Sequence, residues 1–151
     1  MAAEYLANVQ QSVSLNAPVI FTASIPCRKG LIYHEDETGI FILRGIVNNP
    51  CANFATYRCT FNANIALPEG GTVAPIAVAI TTNGEQRPTS KAVFTPAAVE
   101  EFGNVTCTAI IKVPRGCCFN LSVEAVSANT TDTPAPAIIV ENSNFVIDRI
   151  A

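Results

Sequence analysis

Tryptophan is absent from this chain, histidine and methionine occur once each, and only 14% of the residues are charged. Each shortage excludes something. With His34 as the one imidazole, a Ser-His-acid or Cys-His nucleophilic centre has a single place where it could be built, and no GxSxG-type elbow accompanies it. The nine basic residues run from Arg28 to Arg149 without clustering, and the net charge is −3. No electrostatic footprint for nucleic acid results. No segment reaches the roughly 18 consecutive apolar residues of a membrane-spanning helix. Met1 to Asn8 lacks a basic region followed by an apolar one, so no secretory leader is expected. That reading has the chain made in a cytoplasm and leaving the cell, if at all, by assembly or lysis. GxxxxGK[ST], GxGxxG and zinc-finger spacings are all missing.

What is present is one domain's worth of chain, 151 residues with 49% hydrophobic content. At that length roughly 70% of the unfolded surface can be buried, so disulfides are not needed to make up for a small core. The low charge falls below the roughly 25% usual in soluble domains, and the mean hydropathy is +0.32. Much of the surface is therefore neutral, and some of it is expected to be shared with another molecule. Six cysteines are present, at positions 27, 51, 59, 107, 117 and 118. They form no CxxC pair, and buried thiols are expected for Cys59, Cys107 and Cys117. Cys118, facing the other way on a strand, is expected outward. Cys27, Cys51 and Cys118 are open to a disulfide formed after release from the cell.

Nearly every segment reads as strand, with runs rich in Val, Ile, Thr, Phe and Tyr between turn residues. Val9, Val13, Leu15, Val19, Ile20 and Phe21 suggest one or two strands broken at Asn16-Ala17-Pro18. Leu31-Ile32-Tyr33 and Gly39 to Val47 flank the polar turn Glu35-Asp36-Glu37-Thr38 as a hairpin. Phe54 to Leu67 alternates, with Tyr57, Cys59, Phe61, Ala63 and Ile65 on one face and Thr56, Arg58, Thr60, Asn62 and Asn64 on the other. That is a strand with one face in a core. Asn83-Gly84 marks a tight turn between Ala74 to Thr82 and a return strand made irregular by Pro88. Pro96 to Glu101 reads as one helical turn or a plain connection. Val105, Cys107, Ala109, Ile111 and Val113 share a face, as do Cys117, Phe119, Leu121, Val123 and Ala125, and the pair is expected to form a hairpin about Pro114-Arg115-Gly116. Ala137 to Val140 and Asn144 to Ile150 supply two last strands. The sum is an all-β, antiparallel β-sandwich or barrel of eight to ten strands.

Chemistry is scarce in this pattern. His34 with Glu35, Asp36 and Glu37 gathers metal-type donors, but neighbours in a turn rarely converge on one ion. Glu100 and Glu101 point apart as neighbours do and read as surface charge. Asn104, Asn120 and Asn129 match a glycosylation acceptor pattern by chance, two of them inside predicted strands. Tyr57, Phe61 and Phe119 fall on apolar faces and read as core, whereas Tyr5 and Tyr33 are left for a surface. No catalytic, cofactor-binding or metal-binding residue is assigned, and the chain is not expected to be an enzyme.

The order of features carries a resemblance. The long strand Tyr57 to Leu67 ends at Pro68 and is followed by Gly70-Gly71-Thr72-Val73 and Pro75-Ile76. Later come Val113-Pro114, Gly116-Cys117-Cys118 and a terminal strand Asn144 to Ile150. This layout resembles the trimeric jelly rolls of the tumour-necrosis-factor and complement type. It is also similar to small structural proteins of phages and prophages of gut Firmicutes that carry such stretches. The resemblance covers about residues 54 to 151 and lacks the collagen-like or coiled-coil stalk of the family.

The resemblance implies a single jelly-roll domain over 1–151, with 1–50 forming N-terminal strands or an attachment segment. It further implies a homotrimer that packs through neutral and apolar side chains. In a phage setting it implies a virion protein that decorates the capsid and binds the major capsid protein or another virion protein. The alternative is a carbohydrate- or receptor-binding module on a fibre tip or spore surface, using loops such as Asn83-Gly84-Glu85 or Ala128 to Pro136 on a surface glycan. No cofactor, nucleic acid or membrane is expected as a partner.

Overall fold

Alternation of apolar and polar side chains dictates strands whose odd or even residues must find a common core, and the computed structural model shows where they find it. It describes residues 2–25, 30–128 and 133–151. Twelve strand segments occur in it. They are β1 Ala2–Ala7, β2 Gln11–Ser14, β3 Ala23–Ile25, β4 Ile32–His34, β5 Phe41–Arg44 and β6 Phe54–Ala66. β7 Ile76–Thr82, β8 Glu85–Gln86, β9 Ala92–Phe94, β10 Gly103–Pro114, β11 Cys118–Val126 and β12 Ala137–Arg149 follow. Two antiparallel sheets pack as a sandwich. One runs in the order β10-β6-β12-β1-β3, with β2 also on β12, and the other runs β4-β5-β11-β7-β8, with β9 also on β7.

The core between the sheets is built on aromatic rings. Phe21, Phe41, Phe61 and Phe145 are all at 0% exposure. Their ring centroids lie 5.3 to 6.2 Å apart, mostly edge to face, which suits the quadrupole of the π-systems. Tyr57 is equally buried and satisfies its hydroxyl by donating to the carbonyl of Arg44 at 2.6 Å.

Several expectations hold. The alternation of β6 buries Ala55, Tyr57, Cys59, Phe61, Ala63 and Ile65. β4 and β5 form the hairpin about Glu35 to Thr38. Asn83-Gly84 turns β7 back into β8, both residues with positive φ, and Pro88 opens a 3₁₀ turn that breaks the return strand into β8 and β9.

Others are corrected. β10 and β11 are not a hairpin: β10 pairs with β6 and β11 with β5 and β7, so the chain passes from one sheet to the other at Pro114-Arg115-Gly116. The turn is bonded to other parts of the chain, Gly45 N–H donating to Cys117 O at 2.8 Å and Arg115 N–H to Asn53 O at 2.9 Å. Two strands that face each other across a core show the same alternation as two that pair, so sequence period could not separate them. Cys117 is exposed because it sits in this turn, ahead of β11, where alternation no longer applies. Phe119 is only partly buried at the start of that strand.

The N-terminal residues form β1, paired along its whole length with β12 from Ala2↔Asp148 to Ala7↔Ser143. Tyr5 is therefore buried at 2% exposure and not a surface residue, whereas Tyr33 is 49% exposed as expected. Val9, expected on a strand face, lies between β1 and β2 at 79% exposure. The two expected C-terminal strands are one, with a register shift between Glu141 and Asn144 and Asn142 at φ +50°. The bulge switches parity, so that Ile138 and Val140 before it and Phe145 and Ile147 after it all point inward. Residues 96–101 form a connection without helix.

Candidate functional site

The outward face of the β6 sheet is assembled from strands far apart in sequence, and register sets its rows. One row runs Thr108, Thr60, Val146, Glu4, Ile25, and the next runs Thr106, Asn62, Asn144, Leu6, Ala23. Ile110, Arg58, Asp148 and Ala2 form a third. On β1, β6, β10 and β12 these residues are the even-numbered neighbours of inward odd ones, while Ile25 and Ala23 come from β3, which is exposed throughout, and the face is broad and made mainly of short side chains.

Its polar groups largely satisfy one another. Asn104 Nδ2 donates to Asn62 Oδ1 at 2.7 Å and to Asn64 Oδ1 at 3.1 Å. Asn144 Nδ2 donates to Glu4 Oε1 at 3.0 Å. Charge is sparse and compensated, with Arg58 Nη2 2.9 Å from Asp148 Oδ2 and Lys112 Nζ 6.0 Å above the Phe54 ring. Among these groups stand exposed apolar side chains, Ile25 at 60%, Ile110 at 55%, Phe54 at 48% and Ile150 at 45%. A face of this kind loses little by desolvation and gains by covering its isoleucines. It is chemically suited to a flat apolar and neutral partner.

The opposite, outward face of the β11 sheet differs. There Thr81, Ser122 and Glu124 form a hydrogen-bonded string, Ser122 Oγ donating to Glu124 Oε1 at 3.4 Å. Partial burial raises the Glu124 carboxyl above its usual range, the Ser122 hydrogen bond opposing the shift. A shallow recess of about 230 Å³ opens beside it, between Pro18, Ile40, Gly84 and Asn120.

The residues weighed in the sequence for chemistry do not converge. His34 has Nε2 2.8 Å from the Thr38 carbonyl and its ring stacked on Phe41 at 4.5 Å, so it locks the β4–β5 turn against the core. Asp36 and Glu37 are exposed on that turn, beside an open space of about 500 Å³ also lined by Ser24 and His34. Among the described residues no group of three or more His, Cys, Asp or Glu is placed to hold a metal ion. Glu100 and Glu101 are exposed. Asn104 and Asn120 lie in β10 and β11, whereas Asn129 and Cys27 lie outside the described residues.

Of the loops considered for ligand binding, Asn83-Gly84-Glu85 touches the 230 Å³ recess through Gly84 alone, with Asn83 Oδ1 accepting from Asn120 N–H beside it. Thr133 to Pro136 border a separate, apolar space of about 430 Å³ against Leu67, Pro68 and Gly71. Cys59 and Cys107 are buried as expected, with burial pushing their thiols up to about 12 and about 11, and Cys51 and Cys118 are exposed. The contribution that sequence reading missed is β1: Ala2, Glu4 and Leu6 complete the neutral face. The signal available was the alternation Ala3, Tyr5, Ala7.

No protein-family model matches the chain, and no curated protein matches its sequence. Solved structures do match in fold. The globular domain of zebrafish complement 1qA protein is 14% identical, with a TM-score of 0.63 over 99% of this chain and 96% of its own. Eiger TNF from S. frugiperda is 11% identical, with a TM-score of 0.65 over 100% of this chain and 92% of its own. Murine APRIL is 11% identical, with a TM-score of 0.57 over 99% and 98%. The chain has the jelly-roll sandwich of these proteins.

Proposed function

We propose that this chain is a structural, non-catalytic protein that assembles as a homotrimer through the outward face of the β6 sheet, and that the trimer decorates a phage capsid. The observation that carries the assembly is that face: rows of Thr, Asn and small residues with compensated charge, interrupted by exposed Ile25, Ile110 and Phe54. The low charged fraction of 14% fits a chain with part of its surface covered. Trimeric packing and attachment to a virion are what the resemblance of the long β6 strand and the β10–β11 turn implies.

The mechanism of such a protein is mass action. A trimer that binds the assembled shell and not the free capsid subunit shifts the equilibrium toward assembly by RT ln(1 + [L]/Kd), about 2.7 kcal/mol at one hundred times Kd. In this reading the chain is made in the host cytoplasm and ends on the virion, with the major capsid protein or another virion protein as its partner. The test is co-sedimentation of the purified chain with empty heads of a phage that encodes it. Saturable binding in multiples of three copies supports the reading, and heads that sediment without the chain overturn it.

A further inference from the structure

We propose that the recess on the outward face of the β11 sheet binds one ring of a neutral sugar. The starting observation is a carboxylate in an unusual setting. Glu124 is half-buried on β11, and among the described residues no cation pairs with it. Its partner within the chain is the Ser122 hydroxyl, which is itself backed by Thr81, a residue only 1% exposed. This string occupies one oxygen of the carboxylate from one side. The other oxygen is left to accept from a donor that comes from outside, and a desolvated acceptor of this kind gains most from hydroxyl donors held close to it.

The walls add the rest of what a sugar needs. Asn120 stands two residues before Ser122 on the same face of β11, with its backbone N–H and C=O both engaged by Asn83. Its exposed side-chain amide lines the recess with a donor and an acceptor to spare, matching a second hydroxyl. Ile40, 43% exposed, and Pro18 offer apolar surface for the C–H face of a ring. Pro18 is pinned there by its bridge to Glu124 and by Val19 N–H donating to Val123 O at 2.8 Å.

The volume of about 230 Å³ corresponds to roughly eight waters at ~30 Å³ each, the scale of a single small ring. Glu124 disfavours phosphate and carboxylate ligands by charge, which selects a neutral polyol over an anion. The recess lies on the sheet opposite the proposed trimer face, so it stays open in the assembly and does not rest on that assignment.

The test is titration of the full chain with methyl glycosides of glucose, galactose, mannose, rhamnose, N-acetylglucosamine and N-acetylgalactosamine, followed by amide chemical shifts. At least one is expected to shift the Asn120 side-chain amide and the Ser122 and Glu124 backbone signals saturably. Glu124→Gln should weaken it at least about tenfold, the loss of one hydrogen bond to a charged group, with molar mass unchanged. Ile40→Glu, at the exposed rim, should abolish it and serves as a second variant. Absence of saturable shifts with all of the glycosides, or unaltered affinity in both variants, overturns the proposal. So does an equal response to lysine methyl ester, which would make the recess a cation site.

Discussion

Arg58 and Asp148, ninety residues apart in the chain, meet across β6 and β12 with Nη2 2.9 Å from Oδ2. The guanidinium is 57% exposed on its side chain and the carboxylate 21%. As a surface pair it contributes about 0 to 1 kcal/mol to the folded chain. Its consequence lies elsewhere, in keeping the outward face of the β6 sheet close to neutral where three copies are proposed to meet.

Reversing one charge tests that role. Arg58→Glu sets two carboxylates opposite each other and is expected to change the stability of the isolated chain by less than about 1 kcal/mol. The same change should raise the dissociation constant of the assembly more than about tenfold, because like charges desolvated at an interface cost several kcal/mol. Sedimentation equilibrium together with urea unfolding separates the two effects. A variant that assembles as the parent does removes this face from the interface.

Core depth predicts a graded loss. Phe145→Ala, at the centre of the aromatic cluster, should cost about 3 to 5 kcal/mol. Phe119→Ala, only partly buried, should cost clearly less. Equal losses in urea unfolding would contradict the placement of Phe119 at the margin of the core.

Close backbone approach makes two glycines irreplaceable. A Cβ at Gly39 would lie 2.2 Å from the Val19 carbonyl oxygen, and one at Gly45 would lie 2.0 Å from that of Pro114. Gly39→Ala and Gly45→Ala are each expected to cost about 1 to 3 kcal/mol or more, as overpacking against atoms that cannot turn aside. Thermal melting of both variants beside Gly71→Ala, whose nearest contact is 3.2 Å, provides the comparison.

The buried thiols predict reactivity and pH dependence. Native Cys59 and Cys107 should resist a disulfide reagent at mildly alkaline pH, while Cys51, Cys117 and Cys118 react. Their folded values of about 12 and about 11 stand above the ordinary 9.0. The unfolded chain therefore loses these protons first, and stability conferred by the neutral thiols is intact below about pH 9 and falls as pH rises through 9 toward 11 and 12. Urea midpoints measured across that range should fall more steeply for the parent than for Cys59→Ala/Cys107→Ala. Identical slopes would contradict the burial of these thiols.

The sandwich was legible because β6 alternates over thirteen residues, long enough for period 2 to exclude a helix, and because Asn83-Gly84 names its turn. Pairing was less so. The inward residues of β10 and β11 read the same whether the strands are neighbours or face each other, and only the bonds of Gly45 and Asn53 to the turn between them decide. β1 escaped notice because Ala-Glu-Tyr-Leu-Ala carries no β-branched side chain, although its partner β12 was plain. Half of the neutral face could be read as the outward residues of β6, from Thr56 to Asn64. The other half depends on register with β1, β10 and β12, including a bulge that reverses parity, and no local pattern encodes that.

The central claim is most directly tested by the molar mass of the purified chain, from light scattering behind a sizing column over a wide range of concentration. A homotrimer through the β6 sheet gives a species at three times 16.0 kDa that Arg58→Glu shifts toward the single chain. A mass of 16.0 kDa at every concentration, with the variant indistinguishable from the parent, would contradict it.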